Sequence, residues 1–335
     1  MEGLLVEFIQ GLPMVGLLAI IAVCLFVLMN GADMLVEEAV TLSLRYGISK
    51  VIVGATIVSL GTTLPEVTVS VMSAINGKPD LALGNAVGSV ICDTGLILGA
   101  ATMFGAVPLD LYLVRRQGLF CLGLGVLLIV LCLPFSHLSS VFETGGRLPQ
   151  IVGFIFLGLL VLYLWMLSRW AKRSDGDMGV ESHEKGSTGV IAMKIALGLI
   201  MVVVSSHILI GAVEETAIRA QIPQSIIAAT LVAFGTSLPE LVTAITAVRK
   251  GHGELAVGNV IGADILNILL VAGASAAVTT GGLVANASFF TLIFPAMIGL
   301  MLVFQASTFI CKTQLTKISG FALLGGYVVY LILSI

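Results

Sequence analysis

Two glutamates stand directly after prolines inside runs that otherwise have the composition of lipid-facing helix: SLGTTLPEVTVS over 59–70 and AFGTSLPELVTA over 233–244. An ionised carboxylate at the centre of a bilayer costs ~2.5 kcal/mol or more, so Glu66 and Glu240 require something that compensates them. Their neighbours are oxygen donors. Pro65 cannot donate to the Gly61 carbonyl four residues back, and Pro239 fails Gly235 in the same way. In hydrocarbon such freed carbonyls survive only where they line a polar cavity. Thr62 and Thr63 beside one break, and Thr236 and Ser237 beside the other, add hydroxyl oxygens. Ser59, Thr62 and Glu66 recur at i, i+3 and i+7, one stripe of a helix, so carbonyl, hydroxyl and carboxylate oxygens aim at one place. Hard cations such as Na⁺ and Ca²⁺ take oxygen shells of this kind, Ca²⁺ with about six to eight donors.

The next apolar runs carry a second polar face. GNAVGSVICD sets Asn85, Ser89 and Asp93 four residues apart, and GNVIGADILN sets Asn259, Ala263 and Asn267 on the matching stripe. Asp264 falls about 60° off that stripe, on its flank. No Lys or Arg lies within these four runs away from their ends, so Glu66, Asp93, Glu240 and Asp264 have no internal salt-bridge partner. The counter-charge comes from bound metal ions or protons. Other polar residues read as structure. Asn85 and Asn259 suit helix–helix hydrogen bonds. His207, in a later apolar run, could relay protons but reads first as a satisfied structural histidine. Asp33, Glu37 and Glu38 are expected near solvent at the inner end of the first run, and the five cysteines (24, 92, 121, 132 and 311) as packing thiols.

The elements that must position these groups follow from composition. Of 335 residues, 58% are hydrophobic and 10% charged, with a mean hydropathy of +1.12. Runs of about 18–25 apolar residues match the length needed to cross a bilayer as helix. The expected fold is an all-α polytopic membrane protein with ten transmembrane helices, near 14–41, 50–75, 81–105, 117–135, 149–168, 190–212, 224–248, 254–278, 287–308 and 318–334. The amino terminus lacks the basic n-region of a cleavable signal peptide, so the first run reads as a retained helix. The polar stretch 169–188 separates five runs from five and reads as a linker without apolar periodicity. With the amino terminus outside, inside loops hold 13 of the 16 basic residues and only Lys78, Arg147 and Arg219 lie outside, which puts both termini outside and the linker in the cytoplasm.

The halves also repeat. Residues 54–99 slide onto 228–273 without a gap, with 17 of 46 positions identical and most identities at Gly, Thr, Pro, Glu and Asn. Five spans per half is odd, so the second copy enters the membrane from the opposite side. The expected organisation is an inverted repeat, 1–168 and 189–335, the architecture of many secondary transporters, with the site at the midplane.

GTTLPE followed by GNAVGSVICDTGLILG, and GTSLPE followed by GNVIGADILNILLVAG, resemble the two α-repeats of the sodium/calcium exchanger family within the calcium:cation antiporter superfamily. The resemblance covers the whole ten-span layout. It implies an antiporter, not an enzyme, that exchanges Ca²⁺ against Na⁺ across the cell membrane, with those ions as cargo and no prosthetic group or nucleic acid involved. By position it implies that Glu66, Asp93, Glu240 and Asn267 form a diamond of overlapping Ca²⁺ and Na⁺ sites. Thr62, Thr63, Ser89, Thr236 and Ser237 match flanking ligand positions, and the Ser59 and Ala233 carbonyls match backbone ligands. The chain departs from the family pattern in three places. Asp93 and Asn267 exchange the family's Asn and Asp, Ala263 replaces a serine, and Asp264 replaces a neutral residue and joins the candidate metal ligands. Three carboxylates survive among the four central positions.

Other classes fit less. A channel also wants acidic rings, but paired single glutamates on an inverted repeat are less natural there, and no HExxH or GxSxG motif supports an intramembrane enzyme. A Ca²⁺(cation)/H⁺ antiporter is the remaining alternative, because clustered carboxylates also carry protons. The first and sixth runs, of about 28 and 23 residues, match at the repeat offset of 174. The resemblance implies that they slide against a more rigid bundle holding the ligands.

Overall fold

The computed structural model describes residues 2–135, 138–174, 187–221 and 235–334. Helix dominates throughout, as it must where a backbone crossing hydrocarbon has to satisfy its own N–H and C=O groups. The helices are α1 (Glu2–Gly11), α2 (Met14–Tyr46), α3 (Lys50–Thr62), α4 (Leu64–Ile75), α5 (Pro79–Phe104), α6 (Leu111–Cys132), α7 (Gln150–Ser174), α8 (Thr188–Arg219), α9 (Leu238–Arg249), α10 (Gly253–Val278), α11 (Phe289–Ile310) and α12 (Lys317–Ser334). Among the described residues, eight helices are long and apolar enough to span a membrane. The pair α3–α4, bent by 45° at Thr63, makes a ninth if it counts as one span. Of the expected seventh span, only the part from Gly235 onward is described. Residues 222–234, Ala233 among them, and linker residues 175–186 lie outside the described residues.

Three features go beyond the sequence expectation. Helix α1 precedes the first span, and Arg219, at the end of α8, donates to the Leu12 and Gln10 carbonyls at 2.6 and 2.8 Å, capping its carboxyl end. The first and sixth spans run to 33 and 32 residues, longer than their apolar runs, because both continue through polar residues and through charged residues, most of which are ion-paired. Two short antiparallel ribbons also tie distant loops. Strand β1 (Val107–Pro108) pairs with β4 (Gln314–Leu315), and β2 (Gly146–Leu148) with β3 (Leu283–Ala285).

The 174-residue offset reappears in the backbone. Helices α4 and α9 begin and end at matching positions, as do the starts of α2 and α8. Gly77 and Gly251 both turn with positive φ, 76° and 79°. A π-helical turn interrupts α5 at Cys92–Ile97 and α10 at Asn267–Ala272.

Packing divides the helices into two groups. Helix α10 is buried along 94% of its most apolar stretch and α5 along 72%, against 22% for α2. Glycine makes that burial possible. A Cβ on Gly258 would lie 2.1 Å from the Val51 carbonyl oxygen, one on Gly262 2.5 Å from the Ala55 Cα, and one on Gly54 2.4 Å from the Leu255 carbonyl oxygen. Helices α3 and α10 therefore touch backbone to backbone, the close approach that small residues permit in membranes. Helices α2 and α8 form a second pair, meeting at Gly31 and Gly198, and near one end they share a small apolar cluster of their own (Cys24, Leu28, Ala32, Val202 and Leu209). At the other end Leu35, Val36, Ala39, Ile191 and Ile195 join the main core.

Ion pairs sit at the helix ends. Lys250 lies 2.6 Å from Glu37 and 3.1 Å from Asp33, and those carboxylates, Glu37 first, hold its ammonium pKa above the usual lysine value. Asp33 and Glu37 are solvent-facing as expected. Glu38 is not: its side chain is 12% exposed and pairs with Lys194.

Gly258→Ala is expected to destabilise the detergent-solubilised protein by about 1–3 kcal/mol, since the clash is with backbone that cannot rotate away. Gly158→Ala, which meets nothing within 4 Å, is expected to leave stability unchanged or slightly improved. Thermal exposure of the five buried cysteines to a thiol-reactive fluorophore measures both. Equal melting temperatures for the two variants contradict the backbone-contact reading.

Candidate functional site

The two helix breaks place their glutamates alike. Glu66 lies in the first turn of α4 and Glu240 in the first turn of α9, each one residue after a proline at the helix start. Free N–H groups and the positive end of the helix dipole favour a carboxylate there. Asp93 and Asn267 sit within or at the start of the π-helical turns of α5 and α10. Such turns shift side chains out of the regular helical register and recur at functional sites.

Around these four residues the structure buries Ser59, Thr62, Thr63, Ser89, Ser237 and Asp264, each at most 4% exposed. Thr236 is half-buried. Several contacts join the two halves. Asn267 Nδ2 donates to Asp93 Oδ2 at 3.3 Å, Thr63 Oγ1 reaches Glu240 Oε1 at 3.5 Å, and Thr62 Oγ1 reaches Asn259 Oδ1 at 3.5 Å. The Ser59 carbonyl accepts the Thr63 N–H at 2.9 Å and the Thr62 hydroxyl at 3.4 Å. The Ser89 hydroxyl makes no hydrogen bond among the described residues, and Ala233 lies outside them.

What is left over defines the chemistry. Both Glu66 carboxylate oxygens, Glu240 Oε2, Asp93 Oδ1, Asp264 Oδ1, Asn267 Oδ1 and Ser237 Oγ are buried without a hydrogen-bond partner among the described residues. Native interiors rarely leave polar atoms in that state, and a group of them marks a place built for something else. No Lys or Arg among the described residues pairs with any of the four acids. Within the same residues, no three His, Cys, Asp or Glu groups gather closely enough to hold a metal by themselves. A cation here has to complete its shell with hydroxyl, amide and backbone oxygens, the donors the sequence pattern supplies.

Asp264 departs from the stripe. Its Oδ2 accepts the Thr94 hydroxyl at 2.6 Å, so α5 fixes its orientation from the flank. Thr94 and Ser70 were missed in the sequence reading, having no counterpart hydroxyl at the repeat offset to draw attention to them. Ser70 helps to hold Asn85, whose Nδ2 donates to Ser70 Oγ at 2.9 Å and to the Glu66 carbonyl at 3.4 Å, while its Oδ1 accepts from Thr236 at 3.3 Å. Asn85 thus bridges α4, α5 and the second break, the helix–helix role expected of it. His207 differs from its expected role. It lines a cavity of about 450 Å³ that reaches Pro65, Thr236 and Pro239, and it has no hydrogen-bond partner among the described residues.

Asn85→Ala removes three contacts made by one half-buried amide. It is expected to cost about 1–2 kcal/mol, near the upper range for polar contacts between membrane helices, while Ca²⁺ still raises the melting temperature of the variant. Loss of that Ca²⁺ effect in Asn85→Ala, with the fold intact, would make Asn85 a ligand and contradict the bridging role.

The family model described as sodium/calcium exchanger protein matches residues 16–169 and 191–335. The inner membrane protein YrbG of Escherichia coli K12 is 33% identical over 321 residues, covering 93% of this chain and 95% of its own. The sodium/calcium exchanger MaX1 of Methanosarcina acetivorans is 29% identical, covering 91% and 94%. The solved structure of the sodium-calcium exchanger NCX_Mj soaked with Na⁺ and Sr²⁺ superposes with a TM-score of 0.78 at 25% identity, over 96% of this chain and all of that one.

Proposed function

The chain belongs to the sodium/calcium exchanger protein family, and from that premise we propose that its buried oxygen cluster binds Ca²⁺ and Na⁺ in turn and exchanges one against the other across the membrane. The observation that carries this reading is the set of buried carboxylate oxygens at two helix breaks, unpartnered and without a cationic side chain. Glu66, Asp93, Glu240 and Asn267 are the central ligands. Thr62, Thr63, Ser89, Thr236 and Ser237, with the Ser59 and Ala233 carbonyls, complete the shells. Asp264, held by Thr94, adds a further negative charge beside them. Ca²⁺ and Na⁺ are cargo. H⁺ exchange is the less favoured reading, since the family and two of the similar proteins, MaX1 and NCX_Mj, are named sodium/calcium exchangers.

The architecture that serves this function is ten transmembrane helices in two inverted halves, 1–168 and 189–335, joined by the linker 169–188. Several observations support it: the element boundaries recurring at an offset of 174, the paired π-helical turns, and the two ribbons, each joining a loop of the first half to one of the second. Both termini lie outside the cell or inner membrane and the linker in the cytoplasm, by the distribution of Lys and Arg. Helices α2 and α8 move as a pair against α3, α4, α5, α9 and α10, which keep the ligands. Their own small apolar cluster, which meets the bundle through Leu238 and Val242 of α9, and their few polar bonds to it support that division. An incompletely filled cluster of carboxylates resists being sealed from water, because desolvating uncompensated charge is costly. Filling it with ions removes the penalty, so the pair switches only when loaded, which yields obligatory exchange with little leak.

Purified protein in proteoliposomes, with pH clamped, is expected to accumulate ⁴⁵Ca²⁺ when an opposed Na⁺ gradient is imposed, and not when a pH gradient replaces it. Glu66→Gln and Glu240→Gln are each expected to abolish uptake. Accumulation driven by the pH gradient alone would establish H⁺ coupling instead, and wild-type rates in both glutamine variants would remove these residues from the site.

A further inference from the structure

The cavity of about 450 Å³ beside the site carries an asymmetry that the exchange reaction does not explain by itself. Its wall on α8 is a stripe that runs from Val203 through His207 and Ile210 to Glu214, toward the α8 end capped on α1. Its inner end reaches Pro65, Thr236 and Pro239, next to both helix breaks. Among the described residues, Glu214 is the single acid on that lining. It also lines a second hollow of about 220 Å³, formed with Ile9 and Gln10 near the end of α1 and with Gly211 and Ile218. Glu214 therefore stands where the two hollows meet.

The cation nearest in sequence is already engaged. Arg219 Nε binds Glu215 at 2.7 Å, and its two other nitrogens donate to the Gln10 and Leu12 carbonyls. Glu214 itself has no hydrogen bond or ion pair among the described residues. The corresponding end of the partner helix is built the other way. At the repeat offset Glu214 corresponds to Val40, a buried core residue, and the acids nearby on α2 are all paired: Asp33 and Glu37 with Lys250, Glu38 with Lys194. One face of the protein thus presents a free carboxylate over a cleft leading to the site, and the other presents none on that helix pair. A charge in a cleft with low-dielectric walls focuses field lines and raises the local concentration of counter-ions.

We propose that Glu214 captures the exchanged cation at the mouth of this cavity and sets the apparent affinity for Ca²⁺ on the face that carries α1, and on that face alone. The proposal rests on the exchange reading above for its substrate. Glu214 does not enter the central shell. It acts on delivery, so neutralising it changes how much Ca²⁺ is needed and not the rate once the site is filled.

The test has two arms. In membrane vesicles of both orientations, Glu214→Gln is expected to raise the half-saturating Ca²⁺ for exchange at least threefold from the α1 face at low ionic strength. The rate at saturating Ca²⁺ and the half-saturation from the opposite face stay as in the wild type. The difference is expected to shrink as an inert salt approaches 0.15 M, where the Debye length falls to ~8 Å, and Glu214→Asp is expected to retain most of the wild-type behaviour. The second arm needs no transport. With Ile210→Cys placed on the cavity wall of a protein whose native cysteines are buried, a cationic methanethiosulfonate reagent is expected to react faster than an anionic one from the α1 face, and Glu214→Gln is expected to remove that preference. An unchanged half-saturation, an equal change on both faces, or a charge preference that survives Glu214→Gln overturns the proposal. If the wild type exchanges no Ca²⁺ for Na⁺, the functional reading above fails, and the cysteine reaction rates still decide the role of Glu214.

Discussion

Everything in this fold answers to one electrostatic constraint: four carboxylates are sealed inside a membrane-spanning bundle with no Lys or Arg beside them among the described residues. In a medium of low dielectric, uncompensated charge of that kind is expensive, and no arrangement of apolar side chains repays it. The backbone is bent to meet it. Prolines interrupt two spans so that each glutamate occupies the first turn of a new helix, where N–H groups are free. The π-helical turns put Asp93 and Asn267 opposite each other across the halves at 3.3 Å. These departures from regular helix cost hydrogen bonds, and they fall at the proposed ligand positions.

The same constraint separates what must be rigid from what is free to shift. A donor set drawn from several helices keeps its geometry only if those helices keep theirs, and the interlocked backbones of α3 and α10 at Gly54, Gly258 and Gly262 supply that stiffness. Helices α2 and α8 contribute none of the central ligands. They share a small apolar cluster that touches α9 through Leu238 and Val242, and Lys250, just past α9, pairs with the solvent-facing Asp33 and Glu37 of α2. Exposed ion pairs of this sort are worth about 0–1 kcal/mol each. Bonds that weak can break and re-form without a large barrier, whereas a backbone contact through glycine cannot.

Much of this was legible in the sequence because the strongest signals were physical necessities. Glutamate after proline within an apolar run has few explanations, and finding it twice at one offset leaves fewer. The stripe Ser59, Thr62 and Glu66 and the stripe Asn85, Ser89 and Asp93 are local in the chain, so helical periodicity alone predicted that they face inward; all but the half-buried Asn85 are buried, although the 45° bend at Thr63 redirects the first stripe. What periodicity could not supply were contacts made at long range or by single residues. The bond from Thr94 to Asp264 joins residues 170 apart. Helix α1 is short and was hidden by the lack of a long apolar run, and the ribbons occupy only two or three residues per strand. The length of α2 and α8 was underestimated because apolar runs end where charged residues begin, while helices continue if those charges find partners on neighbours.

The repeat, finally, is closer in backbone than in side chains, and the difference has a physical basis. Helix boundaries and positive-φ turns recur at an offset of 174, and π-helical turns within one residue of it, since each half must solve the same problem of breaking a span without stranding its polar groups. The ligands are freer. Asp93 corresponds to Asn267, Ser89 to Ala263, and Val90 to Asp264. A cluster assembled where two halves meet is governed by the summed charge and oxygen count of both, so an acid lost from one half can be regained from the other with the total unchanged. An exact two-fold site would offer a cation the same donors along both approaches. Once the donors differ, the approaches to one shared cluster differ too, and two faces of a membrane exposed to unlike ion concentrations can be served by unlike chemistry on a common frame.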